Sequence, residues 1–205
     1  MRALLLIGSP RKGTSLRLGE ALLAGLQKQG LATEEYHLVQ GLAQGWGKLE
    51  SAVKEADLLI LSSPLYVDSL PAPTIAALEF LADKAAGKKM AAILNCGYPE
   101  PFHNATALKI CRQFARRAGC TWLGGMSLSM SGFSLGKGLS RRVRISVKLA
   151  AKALAQGEVI PDRAAQLAAR KPIPKWLYLL ILNGVFQRVV KKHGKAPIDA
   201  QPYSH

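Results

Sequence analysis

Short unbroken apolar runs recur along this chain, each followed by a polar loop and then by apolar residues at helical spacing. That alternation limits the fold more than any other feature. Ala3–Ile7 and Leu58–Leu61 are the clearest runs, joined by Thr33–Val39, Lys89–Leu94 and Trp122–Met130. A strand apolar at successive positions is buried on both faces, as in a parallel sheet sandwiched between helices. The first helical segment, Ser15–Gln29, carries Leu18, Leu22, Leu23 and Leu26 on one face, although Gly19 and Gly25 weaken it. Further helices are expected near Lys48–Glu55, Pro73–Ala86, Ala105–Ala118 and Leu139–Ala155. Strands and helices in this order build right-handed βαβ units. The expected fold is therefore α/β, a doubly wound five-stranded parallel sheet over residues 1–157, with a helical C-terminal extension over residues 158–205.

In such sheets ligands bind outside the carboxyl ends of the strands, so the loops there are the candidate site. After Ala3–Ile7 comes Gly8-Ser9-Pro10-Arg11-Lys12-Gly13-Thr14-Ser15. Gly8 and Gly13 allow close backbone approach, Ser9, Thr14 and Ser15 offer hydroxyls, and Arg11 and Lys12 offer charge. The helix that follows directs its unpaired N–H groups and positive dipole end to the same spot, which makes an anion site. Glycine spacing from Gly8 to Gly13 matches a Walker A loop, but Thr14 stands where the lysine belongs, and no G-x-G-x-x-G is present. One monophosphate is the better match.

Three further loops leave strand ends. In Ser62–Pro71, Pro64, Leu65 and Tyr66 can form a flat apolar wall, and the amides of Tyr66, Val67 and Asp68 can meet the polar edge of a ring. A proline-ended loop whose Tyr66 packs over a helix explains the same residues. In Asn95-Cys96-Gly97-Tyr98-Pro99-Glu100, Asn95 and Gly97 suit a turn at a ligand and Tyr98 can stack on it. Cys96 reads as an inert thiol, since no His or Lys close in sequence is placed to lower its pKa. His103 reads as a helix-start or surface histidine. Ser129–Lys137, with Ser131, Gly132, Phe133 and Gly136, is either the far rim of the pocket or a plain glycine-rich connection.

Together these loops resemble the NADPH-dependent FMN reductase group of flavodoxin-like proteins, over roughly residues 1–157. The resemblance implies a flavodoxin-like sheet with FMN as cofactor. Its phosphate would be held by Ser9, Arg11, Lys12, Gly13, Thr14 and Ser15. Its ring would face Pro64, Leu65, Tyr66, Val67 and Asp68 on one loop, and Asn95, Cys96, Gly97 and Tyr98 on another. The implied activity is hydride transfer from NAD(P)H to the flavin and on to a small-molecule or protein acceptor, in a homodimer. The flavin performs that chemistry, so no side chain is named as catalytic. A flavodoxin-like electron carrier without a nicotinamide site is the alternative. Relatives with an iron–sulfur cluster carry clustered cysteines after the second strand, whereas residues 39–47 here contain none.

Cys96, Cys111 and Cys120 are odd in number and lack C-x-x-C spacing, which argues against a disulfide framework or a cysteine-built metal site. Residues 1–16 show no signal-peptide pattern, so a reducing, cytoplasmic setting is expected. Charge is uneven. Met1–Gly136 holds 14 Lys+Arg against 10 Asp+Glu, whereas Lys137–His205 holds 14 against 3. A surface this basic attracts polyanions. Nucleic-acid binding through Arg141, Arg142, Arg144 and Lys148 has no motif behind it. Trp176–Phe186 is almost wholly apolar but too short to span a bilayer. It reads either as a helix that docks on protein or as an interfacial helix, with Trp176 and Tyr178 among lipid headgroups and Lys171, Lys175, Arg188, Lys191 and Lys192 on acidic lipid.

Overall fold

The computed structural model describes residues 1–10, 13–131 and 138–193. Strand β1 (Arg2–Ile7) lies near the middle of a five-stranded sheet that also contains β2 (Ala32–His37), β3 (Leu58–Pro64), β4 (Lys89–Asn95) and β5 (Thr121–Leu128). The order is β2-β1-β3-β4-β5, and every pairing is parallel. Leu5 sits opposite Glu35 on one side and Ile60 on the other. Because alternate side chains of a strand face opposite ways, the run Ala3–Ile7 feeds two cores. Ala3, Leu5 and Ile7 join Leu22, Leu26, Val147 and Leu154 on one face, while Leu4 and Leu6 join Leu49, Val53, Leu78 and Phe114 on the other. This double burial is why the run is apolar without alternation. The flavodoxin-like doubly wound sheet expected from the sequence is the fold observed.

The first core is covered by α1 (Thr14–Gln27), α6 (Arg141–Ala155) and α7 (Asp162–Ala169). The second is covered by α3 (Gly47–Glu55), α4 (Ala72–Leu81) and α5 (Asn104–Arg117). The two glycines that weaken α1 are explained by packing. A Cβ at Gly19 would stand 2.6 Å from Leu5 Cδ2, and one at Gly25 would stand 2.7 Å from Ala151 Cβ. Their absence lets α1 lie close to the sheet and to α6.

Several boundaries differ from the sequence reading: β3 runs on to Pro64 and β5 stops at Leu128. A helix, α2 (Leu38–Gln44), begins where the second strand was expected to continue to Val39. It exists because Leu38 is fully buried and the Trp46 ring fills the space a Cβ would need at Gly41. The helix expected to reach Ala86 stops at Leu81. The compact unit that contains the sheet runs to Arg170, so residues 158–170, read as part of the extension, pack with the sheet. Their anchor is a bulge in β5. Met90 pairs with Trp122 and Ala92 with Gly125, so Leu123 and Gly124 together oppose one residue. The Leu123 carbonyl instead accepts from Ile160 N at 2.7 Å, and Ser146 Oγ donates to Ala164 O at 2.7 Å. A second unit begins at Lys171. Its described part is dominated by α8 (Lys175–His193), which outruns the apolar stretch Trp176–Phe186.

Candidate functional site

The parallel order brings the loops after β1, β3, β4 and β5 to one edge of the sheet. The first loop turns under tight constraint. Gly8 N donates to Ser62 O at 2.9 Å. A Cβ at Gly8 would collide with Thr74 Oγ1 and lie 2.6 Å from Ser63 Oγ. Only glycine fits there, and the backbone runs directly over the end of β3. Ser9 is half-buried, and Gly13 and Thr14 are half-buried at the start of α1. Gly13, at the N-cap of α1, has no side chain to cap the first turn, and among the described residues no acidic side chain sits in it. Its N–H groups therefore remain available to an anion. Arg11 and Lys12 lie outside the described residues.

Ser15 is placed differently from its neighbours. It is 1% exposed, and its hydroxyl donates to Asn95 Oδ1 at 2.7 Å. A serine has one hydroxyl proton, and a phosphate only accepts. What Ser15 offers an anion is thus its backbone N–H. Ser62 Oγ donates to Ser15 O at 2.6 Å, and Leu65 N donates to Asn95 O at 3.0 Å. Asn95, 4% exposed, therefore ties the first loop to the second from beneath rather than lining it.

The second loop rises from Pro64 and Leu65, both half-buried, into a two-residue turn. Tyr66 N donates to Ser69 O at 2.9 Å, and Ser69 N donates to Tyr66 O at 3.2 Å. The two residues between them both have positive φ, 52° at Val67 and 59° at Asp68. For a β-branched residue this is an uncommon and strained backbone, and Val67 is 96% exposed, so packing does not compensate it. Asp68 holds the turn from outside: its carboxylate lies 3.0 Å from His103 Nδ1. His103 stacks on Tyr98 and on Phe102, with centroids 4.3 and 4.4 Å away, and its Nε2 stands 3.9 Å from Glu100. Tyr66 and Tyr98 are each 49% exposed, which leaves two aromatic faces for a planar ligand.

The third loop is sewn to the fourth. Cys96 N donates to Leu128 O, Met130 N to Tyr98 O and Ser131 N to Cys96 O, all at 2.9–3.0 Å. Cys96 itself is buried and points inward, 3.3 Å from Asn104 Nδ2. Burial pushes its thiol pKa up, as expected for an inert cysteine rather than a nucleophile. Gly97 is exposed, and a Cβ there would meet open space. Of the fourth loop, Gly132, Phe133 and Gly136 lie outside the described residues.

Sequence reasoning missed two features here. The Asp68–His103 pair joins residues far apart in the chain, and His103 alone reads as a surface histidine. Arg142, on the first turn of α6, has Nε and Nη2 buried without a hydrogen-bond partner among the described residues. Burial and the nearby Arg170 lower its pKa. In sequence it looks no different from the exposed Arg141 and Arg144.

An open parallel sheet in this order, with an uncapped helix start and aromatic loops at its carboxyl edge, defines a flavodoxin-like α/β protein, a class whose ligands bind where the strand order reverses. The chain belongs to the NADPH-dependent FMN reductase family, whose sequence model matches residues 1–133. It is accordingly a flavin-dependent oxidoreductase in the broad sense. No curated protein sequence matches it. Solved structures share its fold. A flavodoxin of Streptococcus pneumoniae TIGR4 is 18% identical, with 77% of this chain and 99% of that one covered at a TM-score of 0.58. A protein assigned as a quinone reductase in Klebsiella pneumoniae is 14% identical, covering 78% and 87% at 0.59. RosB, solved with 8-demethyl-8-formylriboflavin-5'-phosphate, is 11% identical, covering 100% and 94% at 0.55.

Proposed function

We propose that this protein binds FMN at the carboxyl edge of its sheet and uses it to move electrons from NAD(P)H to a small-molecule or protein acceptor. The observation that carries the reading is the uncapped, non-acidic start of α1, set beside two half-exposed tyrosines on neighbouring loops. An anion fits the first feature and a flat ring the second. When bound, FMN would accept a hydride from the reduced nicotinamide, leaving it oxidised, and then give two electrons to the acceptor.

The chain's own residues bind and orient. The first-turn N–H groups of α1, the hydroxyls of Ser9 and Thr14, and the cations Arg11 and Lys12 would take the phosphate. Pro64, Leu65 and Tyr66 would wall one side of the ring, with Tyr98 on the other loop. The turn amides of Val67 and Asp68 would reach its polar edge, held in position by the Asp68–His103 pair. Three free thiols suit a reducing, cytoplasmic setting.

A carrier that binds flavin without a nicotinamide site shares this fold, and the two are separated by one experiment. The purified protein should be yellow, and stoichiometric NADPH or NADH should bleach its flavin absorbance under anaerobic conditions. Bleaching by dithionite but not by either nicotinamide would make it a carrier. Failure to bind FMN would sink both.

A further inference from the structure

From Arg163 to Ile198 the chain contains eight cations and no acidic residue: Arg163, Arg170, Lys171, Lys175, Arg188, Lys191, Lys192 and Lys195. Within this stretch α8 exposes large apolar side chains, with Trp176 at 67%, Leu180 at 64% and Val189 at 50% exposure. Exposed apolar surface on this scale marks an interaction site, and its neighbours in sequence state the charge the partner must carry.

The distribution of residues around and along α8 narrows the partner further. At about 100° per residue, Leu179, Leu182, Val185, Phe186, Val189 and Val190 fall within an arc of about 140°. Gln187, Arg188 and Lys191 occupy the opposite side, and Asn183 and Lys192 flank the apolar arc. The first turns, Trp176–Leu182, are apolar on every side. The helix therefore grades from wholly apolar at its start to amphipathic and basic at its end. Among the described residues no helix is long and apolar enough to cross a membrane.

We propose that α8 is a peripheral membrane anchor that lies in the interface of an anionic bilayer. Its apolar first half would sink among the acyl chains with Trp176 near the headgroups, while Arg188, Lys191 and Lys192 pair with acidic lipid. A second copy of the chain is disfavoured as the occupant because pairing two α8 helices brings like charges together, whereas acidic lipid neutralises them. Nucleic acid is disfavoured because it would engage the cations and leave the apolar side chains in water. An acidic inner-leaflet surface is also consistent with the cytoplasmic setting proposed above. The anchor does not depend on the flavin chemistry.

The test is flotation of the full-length chain with vesicles of neutral phosphatidylcholine, or of phosphatidylcholine containing phosphatidylglycerol. Binding to the anionic vesicles should exceed binding to the neutral ones at least tenfold and fall away in high salt, as screening requires. Each cation near the surface is worth roughly fivefold (about 1 kcal/mol), so R188Q/K191Q/K192Q should lose on the order of 100-fold. L180D/F186D should abolish binding while the domain's thermal transition stays unchanged, which separates lost anchoring from misfolding. Equal binding to both vesicle types overturns the proposal, as does no binding to either. It also fails if L180D/F186D only dissociates an oligomer in sedimentation, or if duplex DNA binds more tightly than the vesicles and is indifferent to those two changes.

Discussion

Ser15→Ala isolates the role the structure gives to the Ser15–Asn95 hydrogen bond. The substitution removes one hydroxyl and opens little space, so packing contributes almost nothing. It leaves Asn95 Oδ1, on a residue only 4% exposed, without the donor that now stands 2.7 Å away. A buried acceptor deprived of its partner costs about 1–3 kcal/mol. For a domain of this size each kcal/mol lowers Tm by about 2–4 °C, so a loss of about 2 kcal/mol should appear as roughly 4–8 °C. The assay is thermal unfolding of the flavin-free protein followed by circular dichroism, with urea unfolding as a second measure. Because the only hydroxyl proton of Ser15 already goes to Asn95, FMN affinity should fall by less than about threefold. Thr14→Ala should do the reverse, sparing the apo-protein but weakening FMN about tenfold, the loss expected for a hydrogen bond to a charged group. S15A/N95A should be less destabilised than the two single changes summed, since each removes the same bond. The reasoning is refuted if S15A leaves apo stability within about 0.5 kcal/mol of the parent and weakens FMN tenfold.

Gly8→Ala forces a Cβ against Thr74 Oγ1 and Ser63 Oγ, and overpacking of this kind should cost about 1–3 kcal/mol in urea unfolding; an unchanged midpoint would contradict the close approach. Val67→Asn keeps the positive φ of 52° but suits it better, so Tm should rise by about 2–4 °C, from about 1 kcal/mol of relieved strain. A fall in Tm would show that the turn is not strained as described. Burial pushes the Cys111 thiol up to about 12 from an ordinary value of 9.0. The unfolded chain releases that proton first, so stability from this group is intact below pH 9 and is lost as pH rises toward 12. Its share is at most about 1.4 kcal/mol per pH unit. In Cys111→Ala the decline of stability over that window should be shallower, and an identical slope would remove Cys111 as a contributor.

Much of the sheet was legible in the sequence because β1, β3 and β4 are buried on both faces, and such burial writes itself as an unbroken apolar run. Helix α2 was not, because Leu38-Val39-Gln40-Gly41-Leu42 follows a strand without a turn signal and the contact of Gly41 with Trp46 is tertiary. Residues 158–170 gave no hint of belonging to the sheet unit. Their anchor is a carbonyl freed by a bulge at Leu123–Gly124, and half of α7 is alanine, which announces no core. At the site, the loops were visible through their glycines, prolines and hydroxyls. Which hydroxyl faces a ligand and which faces inward was not. That distinction rests on Ser15 meeting Asn95 and Asp68 meeting His103, pairings made by the order of strands rather than by any local spacing.

The place of β1 between β2 and β3 has a consequence for how the chain is made. Its leucines reach full burial only when β2 and β3 flank it and helices cover both faces, and β3 begins at Leu58. During vectorial synthesis β1 therefore leaves the ribosome before either strand that flanks it, and its flanking is complete only when β3 follows. Until residues 58–64 leave the ribosome, Leu4, Leu5, Leu6 and Ile7 stand as a sticky segment with an open strand edge. Such a nascent chain invites chaperone capture or mispairing, and its success depends on how quickly translation delivers the partner strand.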